Sequence, residues 1–280
     1  MERPFDQVDV FAEAPQAGNP LAVVADGTGL TAEDMQRFAT WTNLSETTFL
    51  LPPTDPAADY LVRIFTPAQE LPFAGHPTLG TCRVWLDRGG QPRTEGTIVQ
   101  QCGVGLVPIA VDGDRLAFRA PPLIKSGDPT EAELAEALRA TGLSREAVVD
   151  AAWIDNGPGW IGLLLASAEE VLAIEPSLSD QKIGVVGLYP PGSPAAIEVR
   201  AFFSKGSEMA EDPVTGSLNA SVAQWLIGSG RISPPYLSNQ GRRLGHDGQV
   251  HITARSGEDG DAEIWVGGEV MTVISGSVFL

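Results

Sequence analysis

The sequence contains little cysteine and no long apolar run. Its 280 residues include only two cysteines, Cys82 and Cys102, which are too few for a disulfide framework. Neither has a Cys or His neighbour at metal-ligand spacing, so we interpret both as inert and expect no zinc site. No apolar stretch approaches the roughly 20 residues that span a bilayer, and the N-terminal residues lack the apolar segment of a signal peptide. We therefore expect a cytoplasmic protein that makes no membrane contact.

Positive charge is also scarce. The chain has 18 lysine and arginine residues against 36 aspartate and glutamate residues, and its formal net charge is −18. A surface this acidic repels phosphate backbones, so nucleic-acid binding is not expected. A protein with this charge that binds an anionic substrate needs a local positive feature, such as the N-terminus of a helix.

Several catalytic signatures are absent as well. The sequence has no GxSxG nucleophile elbow, no GxxxxGK[ST] phosphate loop, no HExxH, and no GxGxxG placed after a strand. The three histidines, His76, His246 and His251, do not have metal-ligand spacing, and the last two are expected on the surface. We therefore expect neither a metal nor a cofactor, which leaves acid–base chemistry by side chains.

The two halves of the chain resemble each other. When position n is aligned with n + 137, the segment 63–65 (Arg-Ile-Phe) falls on 200–202 (Arg-Ala-Phe), Thr78 falls on Thr215, and Gly75 falls on Asp212. We interpret this pattern as an internal duplication. A chain of this length suits two domains, and a cleft between two domains is a favoured ligand site.

Local patterns predict several elements and turns. Thr31 is expected to cap a helix in an arrangement like a capping box, and Gly142 is expected to end another. The predicted segments are helices at about 130–140, 75–86 and 216–226, a β-rich run at 47–51, and turns at 246–248 and 257–260.

The segment 73–80 is the first candidate site. Gly75 permits close backbone approach, and Pro77 suits the first turn of a helix. The free N–H groups at this helix start could bind a carboxylate, and His76 could donate a hydrogen bond. The alternative is a tight junction between loop and helix in which His76 has only a structural role.

Two further segments could carry chemistry. In 208–217, Asp212 could cap a helix or act as an acid or base, and Ser217 with the Gly216 N–H could bind an oxyanion. In 43–49, Glu46 is either an ordinary surface glutamate or a proton carrier beside a cleft, where partial burial would raise its pKa.

Taken together, these segments resemble the PhzF-like family of cofactor-independent isomerases. The motifs that carry the resemblance occur in family order over nearly the whole chain. They are DVF at 9–11, GNPLAVV at 18–24, NLSETTF at 43–49, RIFTP at 63–67, ELPFAGHPT at 70–78 and EDPVTGS at 211–217.

The resemblance implies an α+β fold like that of diaminopimelate epimerase. Two pseudo-symmetric domains would each wrap an antiparallel sheet around a central helix, with the active site between them. The implied domains are residues 1–118, joined by a final strand at about 270–280, and residues 119–269. The central helices would begin near Gly75 and Gly216. Related epimerases use two cysteines as acid and base, where this family has a glycine and an aspartate, matched here by Gly75 and Asp212.

The resemblance also implies the chemistry. Glu46 would take a proton from one carbon of a small, cyclic carboxylate and return it to another, without a cofactor. His76, Asp212 and Ser217 would hold the polar groups of the substrate, and the protein would be a homodimer. Two alternatives stay open, which are an epimerase or racemase of another small acid and a non-catalytic binding protein with this fold.

Two positions depart from the family pattern. Leu218 and Asn219 stand where small residues are common, and His246 stands where an arginine is expected. Neither departure affects the proposed proton carrier, but both could alter the substrate or the packing.

Overall fold

The structure is a computed structural model that describes residues 1–257 and 262–280. The chain divides into two compact units, the first made of Met1–Arg119 and Gly267–Leu280 and the second of Ala120–Val266. Most of the turn predicted at 257–260 lies outside the described residues. None of the helices in the described ranges is long and apolar enough to cross a membrane.

The first unit wraps a ring of strands around one helix. Its elements are β1 (Glu2–Val10), β2 (Asn19–Val24), α1 (Ala32–Thr42), β3 (Glu46–Leu51), β4 (Tyr60–Phe65), β5 (Glu70–Leu71), α2 (Gly75–Asp87), β6 (Thr97–Cys102), β7 (Gly105–Asp112), β8 (Arg115–Arg119) and the second part of β17 (Ala262–Phe279). The strands pair in the order β1, β2, β3, β4, β6, β7, β8, and β17 closes the ring between β8 and β1.

Helix α2 packs inside this ring against β1, β2, β3, β6 and β8. Its small residues make the close packing possible. A Cβ atom on Gly80 would lie only 2.5 Å from Leu21 Cδ2 and 3.0 Å from methyl groups of Val8 and Val10. Glycine at this position therefore sets how closely the helix approaches β1 and β2.

The second unit repeats this plan. Its elements are β9 (Lys125–Gly127), α3 (Glu131–Thr141), β10 (Val148–Asp155), β11 (Trp160–Leu165), α4 (Ala168–Leu172), β12 (Lys182–Leu188), β13 (Ile197–Lys205), β14 (Glu208–Asp212), α5 (Gly216–Gly228), β15 (Tyr236–Gln240), β16 (Gly248–Ser256) and the first part of β17, with short 3₁₀ turns at Arg145–Ala147 and Arg242–Leu244. Helix α5 is largely buried and packs against β10 and β16.

The predicted α+β fold is confirmed, although the sheets are not purely antiparallel. Each unit has two parallel pairs, β2–β3 and β4–β6 in the first and β11–β12 and β13–β15 in the second. In each of these pairs a helix lies between the two strands in sequence, because a parallel pair needs a long crossover connection. The remaining pairs whose register is described are antiparallel.

The pairing supports the internal duplication and corrects its alignment. Strands β1 to β7 of the first unit have the same pairing scheme as β10 to β16 of the second. Phe65 pairs with Glu70 across β4 and β5, and Phe202 pairs with Glu211 across β13 and β14. The connecting segments are 66–69 and 203–210, so the second hairpin is four residues longer. Equivalent residues are therefore 137 positions apart in β4 and β13, and 141 positions apart at the starts of α2 and α5.

This longer hairpin changes which residues correspond. Gly75 is the first residue of α2 and corresponds to Gly216, the first residue of α5, so the alignment of Gly75 with Asp212 is wrong. Thr78 corresponds to Asn219 and not to Thr215. Thr78 Oγ1 donates to the Ala74 carbonyl at 2.9 Å. Asn219 Nδ2 donates to the Thr215 carbonyl, also four residues earlier, at 3.0 Å.

The predicted helix ends are confirmed in three places. Thr31 and Asp34 form a capping box at α1, and Thr130 forms another with Glu133 at α3. Gly142 ends α3 in the left-handed conformation, with φ of 69°. The side chains of the two capping boxes satisfy N–H groups that the helices themselves leave without acceptors.

Candidate functional site

Glu46 is the first residue of β3, one position before the β-rich run predicted at 47–51. Helix α1 ends at Asn43, which has a left-handed backbone with φ of 54° and donates its N–H to the Ala39 carbonyl. The chain then turns within two residues and enters β3, where Glu46 pairs with Leu21 of β2. The Glu46 side chain is only 16% exposed, so the interpretation as an ordinary surface glutamate is wrong.

His76 lies against Glu46. Its Nε2 atom is 3.3 Å from Glu46 Oε2, and its side chain is 6% exposed. Burial lowers the pKa of His76 to about 3, because the apolar surroundings disfavour the charged imidazolium. An ionised Glu46 would act in the opposite direction, but burial is the larger influence. The structure thus places a neutral imidazole beside a half-buried carboxyl group.

Both central helices begin without a side-chain cap. The peripheral helices α1, α3 and α4 all have complete capping boxes. In contrast, Ala74 at the start of α2 and Thr215 at the start of α5 make no capping hydrogen bond, and neither first turn contains an acidic residue. A missing cap costs about 1 kcal/mol of helix stability. It leaves N–H donors and the positive end of the helix dipole for another acceptor.

The start of α5 is held by a hydrogen-bond network. The Thr215 hydroxyl donates to Asp212 Oδ2 at 2.6 Å. Gln240 Nε2 donates to the Thr215 hydroxyl at 2.9 Å, and Gln240 Oε1 accepts from the Thr215 N–H at 2.9 Å. The N-cap residue of α5 is Thr215, so the interpretation of Asp212 as the N-cap is wrong. Asp212 is the last residue of β14 and is half-buried.

Ser217 is held by the turn between β10 and β11 and by the first residue of β11. Trp160 Nε1 donates to Ser217 Oγ at 3.2 Å, and Asn156 Nδ2 donates to the Ser217 carbonyl at 2.9 Å. Asp155 Oδ1 accepts from the N–H groups of Gly157 and Gly159, both at 2.7 Å, which fixes the turn itself. The partly exposed Ser217 side chain is therefore held from two sides.

The two units carry different side chains at equivalent positions. Glu46 pairs with β2 at the position where Lys182 pairs with β11. His76 and Ser217 are both second residues of their helices, and Asp212 pairs with β13 where Leu71 pairs with β4. The carboxyl–imidazole pair of the first unit therefore has no counterpart at these equivalent, described positions of the second unit. The duplicated fold does not require it.

The departures from the family pattern have structural partners. Leu218 is completely buried in an apolar cluster with Val222 and Leu226 of α5. Asn219 Nδ2 donates to Gln240 Oε1, and Asn219 Oδ1 accepts from the Ser238 hydroxyl. Both residues therefore serve the packing of α5.

The remaining histidines and the cysteines lie elsewhere. His246 and His251 are partly exposed, and His251 lies in β16. Burial raises the pKa of the Cys82 thiol to about 12 and also raises that of Cys102. Neither thiol forms an appreciable amount of thiolate at neutral pH, which agrees with the interpretation of both as inert.

Sequence reasoning missed three residues that hold the α5 segment. They are Asn156, Trp160 and Gln240. None stands in a motif of known chemistry, and each acts through a residue that is 25 to 61 positions away in sequence. The only available signal was the Asn-Gly-Pro-Gly stretch at 156–159, which is typical of a tight turn.

Comparison with known proteins gives a consistent family match. A family model described as "Phenazine biosynthesis-like protein" matches residues 8–276. The chain is 35% identical over 297 residues to "Antisense-enhancing sequence 1" of Schizosaccharomyces pombe, covering 100% of this chain and 99% of the relative. It is 30% identical over 281 residues to trans-2,3-dihydro-3-hydroxyanthranilate isomerase of Pseudomonas fluorescens, covering 98% of both chains.

A solved structure shows the same fold. The phenazine biosynthesis protein of the PhzF family from Bacillus anthracis superposes with a TM-score of 0.83 at 22% sequence identity, and the match covers 100% of both chains. At this identity the likeness establishes the fold alone.

Proposed function

The chain belongs to the phenazine biosynthesis-like family, and from this membership we propose that it is an isomerase that moves a proton between carbons of a small carboxylate. Glu46 is the proposed proton carrier, and no cofactor is needed. The observation that carries the proposal is the 3.3 Å contact between Glu46 Oε2 and the buried Nε2 of His76.

The pair suits a group that must hold and release a proton. Because His76 is neutral, it does not pair with Glu46 as a fixed cation, and the carboxyl group can exist with or without its proton. A neutral imidazole can also donate or accept a hydrogen bond. An imidazole with both capacities suits a neighbouring carboxyl group in either of its protonation states.

The proposed reaction balances without an electron acceptor. The Glu46 carboxylate removes a proton from one carbon, and the electrons of the broken C–H bond enter the neighbouring unsaturated system. The resulting carboxylic acid then returns the proton to another carbon, and the double bonds end in new positions. Nothing is oxidised or reduced overall, which is why side chains alone are sufficient.

The uncapped helix starts support an anionic substrate. In α2, Gly75 and His76 present the first N–H groups, and in α5, Gly216 and Ser217 do so. We propose that these groups, with Asp212, bind the polar groups of the substrate. In a chain with net charge −18, such local donors can attract a carboxylate against the overall field.

The identity of the substrate rests on names given to relatives. The Pseudomonas fluorescens relative is named for trans-2,3-dihydro-3-hydroxyanthranilate, a cyclic carboxylate. The Schizosaccharomyces pombe relative has a name that describes no reaction. We therefore propose the wider class of small unsaturated carboxylates. A cytoplasmic homodimer is the expected state, and light scattering of the purified protein tests the dimer.

The decisive experiment is proton NMR in D₂O with a panel of cyclic and acyclic carboxylates that includes trans-2,3-dihydro-3-hydroxyanthranilate. The wild-type protein should form an isomer or incorporate deuterium at carbon. Glu46→Gln should lower that rate by about 10²–10⁴-fold while the protein stays folded. Glu33→Gln, an exposed position in α1, is the matched control. Normal turnover by Glu46→Gln would show that the proposed mechanism is wrong.

A further inference from the structure

The Ser217 hydroxyl has a defined direction. Trp160 Nε1 lies 3.2 Å from Ser217 Oγ, and an indole N–H can only donate. The serine oxygen is therefore the acceptor in this bond. The hydroxyl keeps its own hydrogen for a second partner.

The surroundings keep Ser217 in this arrangement. Trp160 is 4% exposed and packs in the same apolar cluster as Leu218. The Ser217 carbonyl accepts from Asn156 Nδ2 at 2.9 Å and from the Ser221 hydroxyl at 3.1 Å. The Ser217 backbone is thus held from the β10–β11 turn and from α5, and its side chain is held separately by Trp160 of β11.

The fold does not need this donor. Leu21 of the first unit is the structural equivalent of Trp160, because it pairs with β3 as Trp160 pairs with β12. Leu21 is completely buried and has no polar side-chain atom. The first unit therefore builds the same strand and central helix without an indole N–H at this position.

We propose that Trp160 is a positioning residue that makes Ser217 a hydrogen-bond donor to a substrate oxygen, so that this subsite accepts a carboxylate. The inference rests on the proposed role of Ser217 in substrate binding. A serine without a fixed donor can rotate to present either a lone pair or its hydrogen. The indole N–H occupies one of the two lone pairs of the serine oxygen and turns the hydroxyl hydrogen away from Trp160. This arrangement favours a ligand atom that only accepts.

The contact itself can be tested without a ligand. In a ¹H–¹⁵N spectrum, the Trp160 indole signal is identified by its loss in Trp160→Phe. It should move in Ser217→Ala, because the indole then loses its acceptor. An unchanged indole signal in Ser217→Ala would overturn the inference.

The effect on binding is tested with 2-aminobenzoate, a stable cyclic carboxylate, by titration calorimetry. Ser217→Ala should weaken binding by about tenfold, the value of one hydrogen bond to a charged group. Trp160→Phe should weaken binding by a similar factor. The double variant should bind no more weakly than either single variant, because the two substitutions remove the same interaction. Trp225→Phe, in the same cluster, is the control and should bind normally.

The outcomes separate the two proposals. If Ser217→Ala weakens binding and Trp160→Phe does not, the positioning role is wrong and the role of Ser217 stands. If Ser217→Ala binds normally, or if the wild-type protein does not bind the probe, the inference is overturned. If binding follows the expected pattern but Glu46→Gln exchanges protons normally, the proposed isomerase mechanism fails and the positioning role of Trp160 stands.

Discussion

The buried imidazole of His76 lies 3.3 Å from the Glu46 carboxyl group, and burial lowers the pKa of His76 to about 3. We expect the His76 Cε1–H signal to stay constant from about pH 5 to about pH 8, since the ring remains neutral over this range. The signal is assigned by its loss in His76→Gln. A titration with a midpoint near the ordinary histidine value of about 6.5 would contradict this expectation.

The same lowered pKa has a consequence for stability. The unfolded chain binds a proton at His76 near pH 6.5, whereas the folded protein does so only near pH 3. The His76 contribution to the free energy of unfolding is therefore complete above about pH 6.5 and decreases as the pH falls towards about 3. Urea unfolding of wild type and His76→Gln over this range measures this contribution. The free energy of unfolding of wild type, relative to that of His76→Gln, should be larger at neutral pH than at acid pH.

The duplicated arginine–glutamate pairs provide a controlled comparison of burial. Arg63 pairs with Glu70 at 2.7 Å with side chains 27% and 41% exposed, and Arg200 pairs with Glu211 at 2.7 Å with side chains 3% and 7% exposed. Arg200→Met should destabilise by about 3–5 kcal/mol, because Glu211 is left as an uncompensated buried charge. Arg63→Met should cost about 0–1 kcal/mol. Equal losses in urea unfolding would contradict the argument from burial.

Gly80 is the position where α2 leaves no room for a side chain. Gly80→Ala should destabilise by about 1–3 kcal/mol, because the new methyl group would meet Leu21, Val8 and Val10 and force them to move. Gly228 ends α5 with open space around it, so Gly228→Ala should be neutral or stabilising by up to about 1 kcal/mol. Thermal unfolding of the two variants checks the difference, and a neutral Gly80→Ala would mean that the packing is looser than described.

Glu198 is a buried carboxyl group outside the candidate site. Its Oε2 atom accepts from the Tyr189 hydroxyl at 2.6 Å and lies 3.9 Å from Arg242 Nε, and the charges of Arg200 and Asp247 also act on it. Burial raises the pKa of Glu198 from 4.5 to about 7, since desolvation outweighs the hydrogen bond and the arginines.

The raised pKa predicts a loss of stability at neutral pH. The unfolded chain releases the Glu198 proton near pH 4.5, and the folded chain does so near pH 7. The Glu198 contribution is therefore complete below about pH 4.5 and lost by about pH 7, a change of about 3 kcal/mol. Urea unfolding should show that Glu198→Gln removes this part of the pH dependence. Glu175→Gln, at an exposed position, should keep it.

Part of the fold could be predicted from sequence because local chemistry decides it. Thr31 with Asp34, and Gly142, determine helix ends through bonds within four residues. The repeated Arg-x-Phe segments revealed the duplication, but the four-residue difference between the two hairpins could not be located, since nothing in 203–210 distinguishes inserted from original residues. The parallel strand pairs were also not predicted, because the residue pattern of a strand does not show whether it runs parallel or antiparallel to its neighbour.

The family motifs predicted which residues belong to the candidate site. They did not predict how those residues are arranged. The motif identified Glu46 and His76, which lie 30 positions apart in sequence, but only the folded chain brings their side chains to 3.3 Å. Trp160, Asn156 and Gln240 were missed because their partners are 25 to 61 positions away in sequence. None of these three residues belongs to a sequence motif that indicates a supporting role.

Strand β17 affects the order in which the chain can fold during synthesis. Its residues from Gly267 onward complete the ring of the first unit between β8 and β1. All of the second unit is made before these residues leave the ribosome. Until then β1 and β8 have exposed edges that can pair with other strands, although Glu46 and His76 have long been synthesised. We expect nascent chains arrested before residue 267 to be protease-sensitive in the first unit and to depend on chaperones until the closing strand arrives.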